Sequence, residues 1–460
     1  MNTAVPMTIP GHARAILLLG LPLIGGHLAQ FAIGLTDTVM LGWYGIAELA
    51  AVTLGASYFF VFFILGSGFA LAVMPIAAAA AAEGDEQRIR RSTRMGMWLS
   101  MIYAMAAMPA MLWSEQILRM LGQDPEVAAL AGQYLRIAGW GLFPALLVMV
   151  LKNYLAGLER TQAVFWITVT AAATNALANY MLIFGHWGAP ELGIVGAACA
   201  SIASQAVSLI AVVIYQRRAL PHYNLFQRLW RVDPEILWQV FRMGVPIGLT
   251  TVAEVSLFSA SAVLMGWLGK VPLAAHGIVI TISSGTFMVQ LGLSNVATIR
   301  AGNAYGRRDP FHMARGGKVV IALSQAFAVL TLAAFLIFPE PLMSLFMETD
   351  NPVRDQILVI GVPLLVVSAL FQFVDGAQAI GLGLLRGVQD TRVPMMIAVL
   401  SYWGIGLPTS YMLGFVFGLE GIGVWLGLCA GLACAAAMLM WRFWRRALGQ
   451  VEGRVAAQQP

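Results

Sequence analysis

The sequence predicts an all-α polytopic membrane protein: twelve transmembrane helices in two parallel six-helix repeats. Three observations carry this reading. The chain is 59% hydrophobic and only 11% charged, with strongly positive mean hydropathy. That is too little charge to coat a soluble domain. Apolar runs of about 20 residues or more, the length that spans a bilayer as a helix, occur twelve times. The second half also repeats the first 224 positions later. Pro22, Val39, Gly42, Trp43, Gly45, Leu49, Ala50 and Ala51 recur as Pro246, Val263, Gly266, Trp267, Gly269, Leu273, Ala274 and Ala275. The register holds through Gly68/Gly292, Asp85/Asp309 and Arg91/Arg315, and Gly157–Thr161 echoes Gly387–Thr391 at a slightly different offset.

Helix 1 is predicted over 15–42. It follows Arg14 as a signal peptide would, but its apolar stretch is too long and no small-x-small cleavage site follows a short core. Helices 2 to 6 are expected at 46–72, 92–113, 128–151, 162–185 and 192–215. The basic segment 216–235 then joins the halves, and Asp233-Pro234-Glu235 reads as a helix start: an N-cap candidate, proline in the first turn and an acid suited to the dipole. It begins either a short surface helix or helix 7. Helices 7 to 12 follow at 236–265, 271–298, 317–338, 356–383, 393–417 and 420–441, with 449–460 polar and expected to fray. An even number of helices per repeat brings both halves in from the same side of the membrane, so the repeats are parallel about an axis along its normal. The organisation expected is an N-lobe at 1–215, a linker at 216–235, a C-lobe at 236–445 and a polar tail at 446–460.

Lysine and arginine orient the chain. With the N-terminus inside, all but four (Arg119, Arg136, Lys270 and Arg354) of the 27 basic residues fall on the cytoplasmic side, which places both termini there. The net charge of +5 then reflects loops facing anionic lipid headgroups, with no nucleic-acid partner. Cys199, Cys429 and Cys434 fall within predicted helices and suit neither a disulfide framework nor a zinc site.

Acids inside apolar helices carry the chemistry. Asp37 lies deep in helix 1, where an ionised carboxylate costs roughly 2.5–3.5 kcal/mol on insertion scales and therefore faces the bundle interior. Asn175 and Asn179 in helix 5 are four residues apart and share a face. With Asp37 they can supply an oxygen-rich pocket of the kind hard cations require; an Asn pair alone is commonly interhelical glue. Glu254 in helix 7 occupies the position equivalent to Gln30 in helix 1, whereas Asp37 corresponds to Ser261. The duplication kept the helices and moved the charge. Asp375 in helix 10 is flanked at helical spacing by Gln372 and Gln378, which can hydrogen-bond whatever it binds. Glu254 facing Asp375 would form a carboxylate pair that shares a proton or captures a metal cation. The 24 Met and 34 aromatic residues suit flat apolar cations, although in a membrane protein most of them face lipid or pack helices. No G-x-x-x-x-G-K-[ST] or H-E-x-x-H occurs, which argues against an ATP-driven pump and a metallohydrolase.

Asp37-Thr38-Val39-Met40-Leu41-Gly42, the Asn175/Asn179 face, Glu254, and the helix-10 acid followed by Leu385-Arg386-Gly387-Val388-Gln389-Asp390-Thr391-Arg392 resemble the multidrug and toxic compound extrusion (MATE) transporters, particularly their NorM-like branch. The resemblance covers about residues 10–445. It implies two six-helix lobes around a cavity that alternates between membrane faces, and export of small cationic amphipathic drugs or dyes in exchange for Na⁺ or H⁺. It further implies a C-lobe cation site at Glu254 and Asp375 and an N-lobe site at Asp37, Asn175 and Asn179, with no cofactor beyond the coupling ion. The chain departs at Phe371, where Na⁺-binding relatives carry tyrosine, so both coupling ions stay open. The expected protein is a monomeric antiporter of the bacterial inner membrane and not an enzyme. A lipid-linked oligosaccharide flippase of related architecture is the alternative, but it should line its cavity with several Arg or Lys. A membrane-embedded enzyme would need a paired catalytic constellation, and the duplication places Asp37 and Asp375 in different lobes.

The basic asymmetry makes a direct prediction. Reporter fusions after Arg231 and after Arg446 are active with a cytoplasmic reporter and silent with a periplasmic one. The reverse pattern at either point contradicts the topology.

Overall fold

A computed structural model of the chain describes residues 7–347 and 352–456. Among these residues it has twelve helices long and apolar enough to cross a membrane. They are α1 (Ile9–Tyr44), α2 (Glu48–Glu83), α3 (Glu86–Leu112), α4 (Pro125–Gly157), α5 (Thr161–Phe184) and α6 (Gly193–Ala219) in the first repeat. The second repeat has α7 (Pro234–Leu268), α8 (Lys270–Arg307), α9 (Pro310–Ile337), α10 (Arg354–Gly387), α11 (Arg392–Val416) and α12 (Glu420–Glu452). Asp233 begins α7 itself, accepting from the Ile236 amide at 3.3 Å, so no separate surface helix intervenes there.

The duplication is visible atom by atom at the helix ends. Asp85 and Asp309 cap α3 and α9 through the amides of Arg88 and His312, each at 2.9 Å. The preceding residue is left-handed in both turns, Gly84 with φ 75° and Arg308 with φ 55°. Glycine adopts that conformation freely, whereas arginine does so against its Cβ. The turns after α4 and α10 also match: Glu159 and Gln389 have φ 61° and 62°, and Arg160 and Asp390 each bond back five residues at 2.9 Å.

The chain packs as two units, Gly25–Gly248 and Met1–Ile24 with Leu249–Pro460. The division falls inside α1 and α7, two residues beyond Pro22 and Pro246, which are equivalent in the repeat. Within the first unit, Gly244 and Gly248 of α7 meet α2 closely enough that a Cβ on Gly68 would lie 2.2 Å from the Gly244 carbonyl oxygen. The 216–235 segment is strapped to α3 in the same unit. Arg94 donates to the carbonyls of Leu225 and Asn224 at 2.7 and 2.8 Å, Trp98 donates to that of Leu229 at 2.7 Å, and Arg91 pairs with Asp233.

In the second unit, α8 and α10 lie backbone to backbone. Ser294 and Thr298 of α8 donate to the carbonyls of Ala379 and Gly383 at 2.6 and 2.9 Å, and Gly383 leaves no room for a side chain against the Ser294 carbonyl. A second seam joins α11 and α12 through small residues four apart: Gly406, Ser410 and Gly414 against Gly431, Gly427 and Gly423. Without a hydrophobic drive between helices in lipid, such close approach and its cross-helix hydrogen bonds are what hold them; Ser410 donates to the Val424 carbonyl at 2.9 Å. The segment expected as a frayed polar tail is instead helical through Ala456. Val451, 2% exposed, buries its side chain and extends the apolar side of α12; residues 457–460 lie outside the described residues. All three cysteines are free thiols.

The glycine seam is open to test. A Cβ at Gly427 would lie 2.2 Å from the Ser410 nitrogen, whereas one at Gly404 meets nothing within 4 Å. Gly427→Ala is expected to destabilise the protein by about 1–3 kcal/mol through overpacking, and Gly404→Ala to leave stability unchanged or raise it slightly. Thermal unfolding in detergent, followed by size-exclusion recovery, measures both; equal Tm values contradict the seam.

Candidate functional site

The first acid cluster is built on α1 and α5. Spacing of four puts Asn175 and Asn179 on one face of α5, and both are buried. Asn179 donates its Nδ2 to Asp37 Oδ1, and also lies 3.2 Å from Asn175 Oδ1. The three residues singled out in the sequence therefore meet. Their set is open: Asn175 reaches Asp37 as well, and Asn179 Oδ1 is buried with no partner within the protein. Tyr134 of α4 stands within electrostatic reach of Asp37. Gln30 does not join them; it lies two turns earlier on α1 with an exposed side chain and makes no hydrogen bond to Asp37.

The second cluster gathers α7, α10 and α11. Asp375 is 3% exposed, between Gln372 and Gln378, which are likewise buried. Gly376, beside the acid, has Gln290 of α8 and Ser324 of α9 2.9 Å from where a Cβ would sit. Those two residues are bonded to each other, Ser324 Oγ donating to Gln290 Oε1 at 2.6 Å. Glu254, partly accessible on α7, stands within electrostatic reach of Asp375, and Arg386 near the end of α10 stands within reach of Glu254.

Two residues enter this cluster unannounced by the sequence. Gln378 turns its amide to the hydroxyl of Tyr402, a fully buried residue of α11 that feels both carboxylates and Arg386. Arg386 reads in the sequence as one more cytoplasmic charge. No local signal marks Tyr402, a lone hydroxyl in an apolar run. Gln372 makes no hydrogen bond within the protein through either amide atom, and Asp375 Oδ1, Gln378 Oε1 and Ser401 Oγ are also buried without a partner there. Each such atom costs about 1–3 kcal/mol if nothing pairs with it. The available atoms are predominantly oxygen, from carboxylates, amide carbonyls and a phenol. That donor set fits a hard monovalent cation or a proton shared among carboxylates, and not a soft metal.

Phe371 packs edge-on against Phe258 and Trp425, with ring centroids 5.9 and 5.5 Å away. It therefore forms the aromatic wall one turn from Asp375 and offers no oxygen. Ser261, the repeat partner of Asp37, has a different setting again. Its Oγ is 3.4 Å from His276 Nε2, and Trp425 Nε1 donates to His276 Nδ1 at 3.1 Å. An uncharged Ser–His–Trp network thus stands where the first repeat has its carboxylate.

Comparison with known proteins places this architecture. The family profile described as MatE matches residues 22–181 and 246–412. The chain is 45% identical over 438 residues to a probable multidrug resistance protein NorM of Rhizobium meliloti (strain 1021), covering 95% of this chain and 94% of that protein. It is 43% identical over 451 residues to a protein of the same description from Agrobacterium fabrum (strain C58 / ATCC 33970), covering 96% and 97%. In fold it is similar to a crystal structure of MATE in the bent conformation, with TM-score 0.87, 19% identity, and coverage of 97% of this chain and 98% of that one. With both halves of the chain matched and relatives above 40% identity along nearly its whole length, the chain belongs to the MatE family, the MATE transporters.

Proposed function

We propose that the chain is a multidrug efflux antiporter of the bacterial inner membrane. It exports small cationic amphipathic compounds in exchange for Na⁺ or H⁺ by alternating access, as a monomer with both termini and the 216–235 segment in the cytoplasm. The observation that carries this reading is the pair of acid clusters, each set among buried amides and each open to a further partner. Relatives described as multidrug resistance proteins support the cargo class. Intramembrane charge of acidic sign favours cationic cargo over the pyrophosphate-linked lipids of a flippase.

In this reading, Asp37 with Asn175 and Asn179 serves the lobe at 1–215, and Glu254 with Asp375, Gln372 and Gln378 serves the lobe at 236–445. The acids hold either the coupling ion or the drug, so ion binding from one side changes the relative stability of the two cavity orientations. One charge crossing about 100 mV is worth roughly 2.3 kcal/mol. Exchange of one monovalent cation for one monovalent drug is electroneutral, however, so the ion concentration gradient drives it.

Asp375→Asn and Glu254→Gln each remove an ionisable group at nearly constant shape. Both variants are expected to reach the membrane at wild-type abundance and to lower ethidium resistance to the level of cells without the transporter; wild-type resistance at equal abundance contradicts the C-terminal site. Asp37→Asn is expected to reduce efflux and flatten its dependence on pH in inverted vesicles. An unchanged rate and profile makes Asp37 a structural contact only.

A further inference from the structure

Tyr402 is a large buried side chain whose placement packing alone does not explain. Its ring has no exposed surface, and its hydroxyl meets Gln378 on α10 while feeling the charges of Glu254, Asp375 and Arg386. It sits in Leu400–Gly406, where α11 widens into a π-helical turn. Turns of this kind recur at functional sites because they redirect side chains at some cost in helix geometry. Ser401, its neighbour in the turn, has a buried hydroxyl without a partner in the protein. The turn is held rigidly: Gly406, at its end, meets Gly431 of α12 so closely that a Cβ on Gly431 would lie 2.7 Å from the Gly406 Cα. The phenol is thus positioned by backbone contact, which is the way a binding group is preorganised.

The chemistry of a phenol suits this place. Its oxygen accepts from the Gln378 amide and keeps a second lone pair, and its own proton remains to be donated. Gln378 and Gln372 lack that two-way capacity in any single atom. We propose that Tyr402 is a ligand and specificity-determining residue of the Glu254–Asp375 site: its hydroxyl donates to a carboxylate when the site is ion-free and turns its lone pair to the cation when the site is loaded. Gln378 is the positioning residue that holds the phenol. This inference rests on the reading of Glu254 and Asp375 as the coupling site. It assigns α11, which carries no acid, a direct part in choosing the ion.

The test uses the full-length protein in proteoliposomes, with ethidium efflux measured against the concentration of whichever ion, Na⁺ or H⁺, drives the wild type. Tyr402→Phe is expected to shift the half-saturating ion concentration by roughly tenfold, the scale of a lost hydrogen bond to a charged group. Gln378→Met, which keeps the phenol and removes the amide, is expected to shift the same constant in the same direction by a smaller factor. The double variant should shift it no further than Tyr402→Phe alone, because the two residues act as one unit. An unchanged half-saturating concentration in both single variants, with Glu254→Gln inactive, overturns the role of Tyr402 and leaves the coupling site standing. Wild-type efflux by Glu254→Gln overturns both.

Discussion

The structure depends on one constraint: polar groups within the bilayer's depth must find partners, because neither lipid nor packed side chains will solvate them. Most of the chain meets it through helices and short cross-helix bonds such as Ser294 to Ala379 and Ser410 to Val424. At two places several unpaired atoms gather beside a carboxylate. Around Asp37 and around Asp375, buried amide and carboxyl atoms have no counterpart in the protein. A cluster of atoms each costing about 1–3 kcal/mol if unpaired is a place where a bound ion or proton recovers energy in the proposed cycle. A cation does so for several oxygens together, and a proton for one or two.

The two repeats show how far a duplicated backbone can diverge in chemistry. Capping by Asp85 and Asp309, the left-handed turns at Glu159 and Gln389, and the proline pair Pro22/Pro246 are retained. Those features set where helices begin, turn and bend. The charged positions are not retained: Asp37 is matched by Ser261 bonded to His276, and Glu254 by an exposed Gln30. Backbone architecture and side-chain chemistry diverged separately, and the two acid clusters are consequently unlike.

The spans were legible in the sequence because a bilayer demands long apolar runs, and the first acid cluster because a spacing of four in α5 fixes a shared face. Helical spacing sets Gln372 and Gln378 on either side of Asp375, but it does not reveal that Gln378 turns to Tyr402 while Gln372 keeps no protein partner. Tyr402 was hidden because its direction depends on a π-helical turn and on contact between Gly406 and Gly431, neither of which leaves a periodic trace. The same holds for the packing units. Hydropathy shows α1 and α7 as continuous helices, and only tertiary contact shows that each contributes its two ends to different units. The helix from Leu448 to Ala456 reads as a frayed tail in sequence because its polar composition hides the one buried position, Val451, among its residues of described burial.

The central claim is that the buried acids convert an ion gradient into drug export, and transport by the purified protein tests it most directly. Proteoliposomes loaded with ethidium, with voltage held at zero by valinomycin and equal K⁺, are given a Na⁺ gradient alone or a pH gradient alone. The account predicts efflux under at least one of these gradients, abolished when that gradient is collapsed. Absence of efflux under both, from protein that is folded and binds ethidium, contradicts it.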